Sequence, residues 1–147
     1  MQTLHGTIVD VAGSGVLLRG PSGSGKSDLA LRLIDRGATL VADDQFLTRS
    51  SRRGLVGFSP ESLYGMLEVR GLGILSVPAI RSTILRLVVD IVDADEISRL
   101  PEQAFAEIEG EKIHTLRANA FECSTPIKIE LAIRDLNRIG KVGVSDG

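Results

Sequence analysis

Hydrophobic positions along this chain switch between the alternation of strands and the wider spacing of helices, and glycines mark many of the switch points. Leu4–Val11 is rich in β-branched residues, with Gly6 and Asp10 interspersed, and reads as a strand. Ala12-Gly13-Ser14-Gly15 supplies turn chemistry. Val16-Leu17-Leu18 is a continuous apolar run, the pattern of a strand buried on both faces. It feeds directly into a glycine-rich segment, Gly20–Ser27. In Lys26–Arg36, residues Leu29, Ala30, Leu33 and Ile34 form one helical stripe, and Gly37 stands where a glycine ends a helix. Thr39–Ala42 is the next expected strand, ending at Asp43-Asp44. Strand, glycine loop, helix and strand together predict a right-handed crossover and a parallel pair.

Farther along, Phe46–Thr48 and Gly54–Phe58 read as short strands flanking a polar loop, Arg49–Arg53, which is most simply a solvated turn. Ser59 as N-cap and Pro60 at the first position predict a helical turn over Pro60–Met66. Leu67–Arg70 is extended chain, and Gly71-Leu72-Gly73 is a permissive turn. Ile84–Val92 has the composition of a strand, Pro101–Ile108 is read as a helix, and Lys112–Leu116 as a strand. Ile129, Ala132, Ile133 and Leu136 share one helical face, so Ile127–Ile139 is expected to be a helix closed by Gly140. The pattern sums to one α/β domain over residues 1–140, a mixed sheet with flanking helices, and a frayed tail at 141–147.

Composition narrows the function classes. The 147 residues include 17 basic and 19 acidic side chains, a net charge of −2, so no global basic field exists to hold a nucleic acid or an anionic membrane. Aromatic residues make up only 3% with no Trp, which argues against modules that stack bases on aromatic platforms. The single cysteine, Cys123, forbids an intramolecular disulfide and a cysteine zinc cage, and is expected to be a small buried hydrophobe. No apolar run reaches membrane-helix length, and Met1–Asp10 lacks the pattern of a signal peptide, so a cytoplasmic enzyme or switch is expected.

The chemistry concentrates in Gly20-Pro21-Ser22-Gly23-Ser24-Gly25-Lys26-Ser27, a full match to the phosphate-binding pattern G-x-x-x-x-G-K-[ST]. Gly23 and Gly25 allow backbone angles that turn successive N–H groups toward an anion. The helix beginning near Lys26 points its N-terminal dipole at the same anion. Lys26 reaches the outer phosphates of a nucleotide, and Ser27 is placed to ligate a bridging Mg²⁺. Phosphoryl transfer also needs an acid to hold metal and a base for the incoming hydroxyl, and Asp43 and Asp44 end the strand that follows the cradle helix. Alternation along a strand makes the two diverge, which suits separate roles. A solvated turn or a helix cap is the alternative reading of the pair. Glu68 and Arg70 precede two glycines, which fits a site loop and equally a surface ion pair. His5, near a strand start, reads more simply as a packed or solvated side chain, and His114 as surface.

Four segments together resemble the HPr(Ser) kinase/phosphorylase family: His5-Gly6, the glycine loop, Ala42-Asp43-Asp44, and Leu67-Glu68-Val69-Arg70-Gly71-Leu72-Gly73-Ile74. The resemblance runs from about residue 4 to residue 92. It implies a P-loop fold like that of phosphoenolpyruvate carboxykinase and a hexameric assembly. It also implies an enzyme that uses ATP or pyrophosphate to phosphorylate a serine of the phosphocarrier protein HPr, and that removes this phosphate with inorganic phosphate, releasing pyrophosphate. By position, Asp43 resembles the general base of the forward direction and the acid of the reverse. Lys26 and His5 resemble catalytic positions, and Ser27 and Glu68 the Mg²⁺ ligands, with Asp44 the further acidic candidate. The chain resembles members consisting of the catalytic domain only. The family's later arginine-bearing loop has no clear counterpart; Glu122–Pro126 stands in that region, and Arg117 is the candidate to replace the arginine. A P-loop kinase acting on a small molecule, or an ATP-sensing regulator without turnover, are the alternatives that the cradle alone admits.

Overall fold

A computed structural model describes residues 2–146, with side chains as far as Asn137. In chain order the elements are β1 (Leu4–His5), β2 (Thr7–Val11), β3 (Ser14–Arg19), α1 (Lys26–Asp35), β4 (Thr39–Ala42), β5 (Gln45–Ser51), β6 (Gly54–Phe58), β7 (Met66–Val69), β8 (Gly73–Ser76), β9 (Ser82–Ile91), β10 (Ala104–Ile108), β11 (Glu111–Ala118) and α2 (Thr125–Asp146). Nine strands form one mixed sheet ordered β1-β5-β6-β9-β3-β2-β4, with β11 joined to β9 and β10 to β11; β7 and β8 form a separate hairpin. The α/β class and mixed sheet read from the sequence are those of the structure.

The expected parallel pair across the helix is not formed. β4 pairs antiparallel with β2, which pairs antiparallel with β3. The Ala12-Gly13 turn, with φ of 52° and 89°, folds β2 back beside β3 before the helix begins, so β2 occupies the slot next to β3. Strands β3 and β4 still run the same way. Since β9 is parallel to β3, and β11 to β9, the C-terminal ends of all four strands share one edge of the sheet. That edge carries the glycine loop.

Alternating side chains give the sheet two apolar faces. Val9, Val16, Leu18, Leu87 and Val89 pack with Leu29 and Leu33 of α1 and Ile129 and Ile133 of α2. Ile8, Leu17, Leu85 and Val88 pack on the other side with Phe46, Leu55, Ile108 and Ile113. Truncating one such buried leucine to alanine typically costs about 2–5 kcal/mol. At the end of α1, the Gly37 N–H bonds to the Ile34 carbonyl and the Ala38 N–H to the Leu33 carbonyl, with Gly37 at φ 113°, the double-bonded glycine cap expected there. The two helices are joined by Arg36, whose guanidinium is held above its ordinary pKa by hydrogen bonds to Glu130 at 2.7–3.0 Å.

Several local expectations are corrected. Pro101–Ile108 is not helical: Ala104–Ile108 is a strand, returned to β11 by Glu109-Gly110 at φ 49° and 83°. The buried positions Ala106 and Ile108 follow a period of two, and the hairpin turn decides between the two patterns. The polar loop at Arg49–Arg53 shrinks to a turn at Arg52-Arg53, because Arg49–Ser51 continue the ladder with β6. The helical turn near Pro60 is a 3-10 turn over Glu61–Leu63, capped by Pro60 in extended conformation, while the Ser59 hydroxyl bonds to the Pro60 carbonyl. The C-terminal helix starts at Thr125 and passes Gly140 to reach Asp146; a single glycine costs a helix only about 1 kcal/mol. The side chains of the expected tail at 141–147 lie outside the described residues. Cys123 is exposed rather than buried, since Ala120 and Thr125 supply the buried positions around it.

Candidate active site

The glycine loop spans the gap between β3 and α1 at the shared edge. Gly25 is the N-cap of α1 at φ 99°, a left-handed conformation that aims the first helical N–H groups into the loop. A Cβ at Gly25 would stand 2.8 Å from Ala120 in a left-handed backbone, so glycine is required there; one at Gly20 would stand 2.7 Å from the Ser24 hydroxyl, which would have to turn away. The Lys26 ammonium rests on the loop's own carbonyls, at 2.7 Å from Gly20 and 3.1 Å from Pro21. The Ser24 hydroxyl is buried and, among the described residues, has no hydrogen-bond partner. A buried polar group without a partner is costly, and an anion in the loop would supply one. The loop therefore fits the polyphosphate of a nucleotide.

Asp43 is the centre of the arrangement. It is only 8% exposed. Its Oδ1 accepts hydrogen bonds from the Ser27 hydroxyl at 2.8 Å and the Thr7 hydroxyl at 3.0 Å, and its Oδ2 accepts one from the Glu68 backbone N–H at 2.9 Å. One carboxylate thus ties the helix start, the β2 strand and the β7–β8 hairpin to the end of β4. The backbone turns sharply just after it. The Gln45 N–H bonds to the Asp43 carbonyl at 2.8 Å, and Asp44 between them sits at φ 70°. Such a three-residue turn is strained for a residue with a Cβ. It separates the two aspartates as alternation suggested: Asp43 faces inward and Asp44 is exposed.

The structure brings together Ser27, Asp43, Lys26 and the loop. Glu68 joins through its backbone. The side chains of Glu68, Asp44 and His5 are exposed and, among the described residues, make no hydrogen bond or ion pair. His5 pairs with Gln45 in the short β1–β5 ladder, and the next residue, Gly6, donates its N–H to the Asp44 carbonyl at 3.0 Å. All four motif segments singled out in the sequence therefore meet within a few residues of Asp43. The Ser27 hydroxyl can donate its proton to Asp43 while offering lone pairs to a cation, so the hydroxyl–carboxylate pair suits Mg²⁺ beside bound phosphates. Arg117 is exposed on β11, where it is the register partner of Asp90. His114 is half-buried on β11, its ring 4.6 Å from that of the exposed Phe105.

Thr7 was not visible as a functional residue in the sequence, where it reads as one more β-former. It is fully buried, and its hydroxyl donates to Asp43 while accepting the Asp44 N–H at 3.2 Å. Its position two residues after His5, at the start of the strand that pairs with the one entering the loop, is the signal the sequence offers.

Comparison with known proteins places the chain in a family. The model of the HPr Serine kinase C-terminal domain matches residues 1–128. This chain belongs to that family. Among curated proteins, an HPr kinase/phosphorylase of Bordetella pertussis is 46% identical over 112 residues, covering 69% of this chain and 36% of its own. One of Clostridium tetani is 43% identical over 132 residues, covering 89% of this chain and 42% of its own. The chain thus spans well under half the length of these relatives. Among solved structures, the Hpr(Ser) kinase/phosphatase from Coxiella burnetii matches with a TM-score of 0.85 at 25% identity, over 99% of this chain and 96% of that one. Membership in the family bears out the resemblance read from the four motifs. Among the described residues, no helix is long and apolar enough to cross a membrane.

Proposed function

We propose that this chain is the phosphoryl-transfer domain of an HPr-type serine kinase. It takes the terminal phosphoryl group of ATP, or of pyrophosphate, to a serine hydroxyl of a phosphocarrier protein. It also runs the reverse step, in which inorganic phosphate takes the phosphoryl group from the phosphoserine and pyrophosphate leaves. The observation that carries this reading is the convergence of Ser27, Thr7 and the Glu68 N–H on one buried carboxylate, Asp43, at the mouth of a phosphate-binding loop.

The loop N–H groups and Lys26 hold the phosphates and take up charge that builds on them during transfer. Ser27, with Glu68 and Asp44, would hold Mg²⁺, which would neutralise phosphate charge. Asp43 accepts three hydrogen bonds, which hold its carboxylate in one orientation at the mouth of the loop. In the forward direction it takes the proton of the substrate serine as the hydroxyl oxygen attacks phosphorus. In the reverse direction it returns that proton to the departing serine oxygen, as microscopic reversibility requires. His5, at the outer edge of the same cluster, contacts the incoming protein segment or phosphate. The relatives' names support the HPr-type substrate; a homo-oligomer and a cytoplasmic location complete the proposal, on the family resemblance alone.

The test is mass spectrometry of purified HPr after incubation with the chain, Mg²⁺ and ATP, followed by added inorganic phosphate. The expected result is one phosphoserine that disappears on phosphate addition, with pyrophosphate formed in equal amount. Phosphate appearing only on a metabolite would replace this reading with a small-molecule kinase. Tight ATP binding with no turnover would replace it with a nucleotide-sensing regulator.

A further inference from the structure

On the flank of the loop away from Asp43 lies a second feature, which shares the loop with the motifs but whose outer walls none of them covers. A depression of about 490 Å³ is lined by Ser22, Gly23 and Ser24 of the loop, by Val92, Asp93 and Glu96 after β9, and by Asn119 and Phe121 after β11. Its size falls in the range of small-molecule sites. A larger depression of about 630 Å³ along α2 shares no residue with the loop. The wall at Phe121 is fastened from three directions. The Asn119 side chain donates to the Val92 carbonyl at 3.1 Å and accepts the Phe121 N–H at 2.9 Å, joining the two strand exits that form the pocket. Arg32 of α1 donates to the carbonyls of Ala120 and Glu122 on either side. The Phe121 ring also packs on the loop, since a Cβ at Gly25 would approach it to 3.1 Å. Yet the residue remains 66% exposed, in a chain with four phenylalanines and no tryptophan.

Resting on the kinase reading above, we infer that this depression is the subsite for the nucleoside half of the phosphoryl donor, with the base stacked on Phe121 and the ribose hydroxyls donating toward Asp93 and Glu96. A fixed, exposed aromatic ring beside a phosphate loop is a stacking platform for any base. The carboxylates of Asp93, Asp95 and Glu96 lie within 4.8 Å of one another, so this rim repels a further phosphate and attracts hydroxyl and amino donors. Continuity with Gly23 and Ser24 means that a ligand whose phosphates fill the loop extends directly into the depression. The low aromatic content of the chain, which argues against nucleic-acid platforms, leaves room for one ring that serves a single base.

The test compares ADP with pyrophosphate, both with Mg²⁺, by titration calorimetry and by amide NMR on the intact chain. Phe121→Ala is expected to weaken ADP binding about tenfold while pyrophosphate affinity changes less than twofold. In the wild-type chain, ADP is expected to shift the amide signals of Asp93, Glu96 and Phe121, whereas pyrophosphate shifts only those of the loop. Equal weakening of both ligands by Phe121→Ala would show that the ring merely braces Gly25, and would overturn the subsite. So would identical shift patterns for ADP and pyrophosphate in the wild-type chain. Both results leave the phosphate-transfer reading standing. Failure of both ligands to bind would overturn that reading and the subsite together.

Discussion

The two flanks of the glycine loop are built on opposite plans. On one side, Asp43 is buried and bonded by donors from three separate segments, so its position is overdetermined. On the other, Phe121 and the carboxylates of Asp93 and Glu96 stand in solvent; the backbone at Phe121 is fastened and one edge of its ring rests on Gly25, but no hydrogen bond holds these side chains among the described residues. The difference matches the roles proposed for the two flanks. Proton transfer requires atoms held to a fraction of an ångström, whereas stacking on a ring tolerates sliding. Fixing Asp43 also incurs strain, visible at Asp44, while nothing comparable is needed around Phe121.

Substitutions separate the flanks, beginning with the largest effect. Lys26→Ala removes the point charge that serves both, and phosphoserine formation should fall by at least about 10²–10³-fold with ATP and with pyrophosphate alike. Activity retained with either donor would remove Lys26 from the phosphate grip. Thr7→Val touches only the buried flank. It deletes one bond to Asp43 and strands the Asp44 N–H, and should cost about 1–3 kcal/mol of stability in chemical denaturation. Transfer should slow roughly tenfold with the KM for ATP little changed, and Thr7→Ser should restore both. A rise in KM alone would mean that Thr7 shapes binding instead of orienting the base.

Asp44→Gly should relieve the positive φ, so the melting temperature is expected to hold or rise. The Mg²⁺ concentration for half-maximal rate is expected to increase about tenfold, because one candidate ligand is gone. An unchanged Mg²⁺ dependence would reduce Asp44 to a turn residue. Cys123→Ser should do least. The side chain is exposed on the way into α2, and stability should stay within about 0.5 kcal/mol.

The contrast also explains what could be read from the sequence. Chemistry packed into contiguous residues was legible: the loop, the aspartate pair and the segment around Glu68 each carry their own pattern. The helix α1 and its glycine cap were legible for the same reason, since both depend on residues close in sequence. Relations across the sheet were not. The turn between β2 and β3 was legible at Ala12-Gly13, but the pairing of β2 with β4 joins segments far apart in the chain, and no local pattern encodes that. Thr7 looks like any β-branched residue until Asp43 is seen 3.0 Å away. Pro101–Ile108 offered too few residues to tell a helical spacing from a period of two, and the Glu109-Gly110 turn settled it only through pairing with β11. Phe121 sat in a stretch with no periodic pattern, so its exposure and its clamp by Asn119 emerged only in three dimensions.

The central claim is that Asp43 moves the proton and does not merely hold the loop together. The most direct measurement is single-turnover transfer from ATP to HPr by Asp43→Asn, with ADP affinity determined on the same sample. The account predicts affinity within a few-fold of wild type and transfer slowed by about 10²–10⁴. Transfer at the wild-type rate, or a loss of affinity as large as the loss of rate, would contradict it.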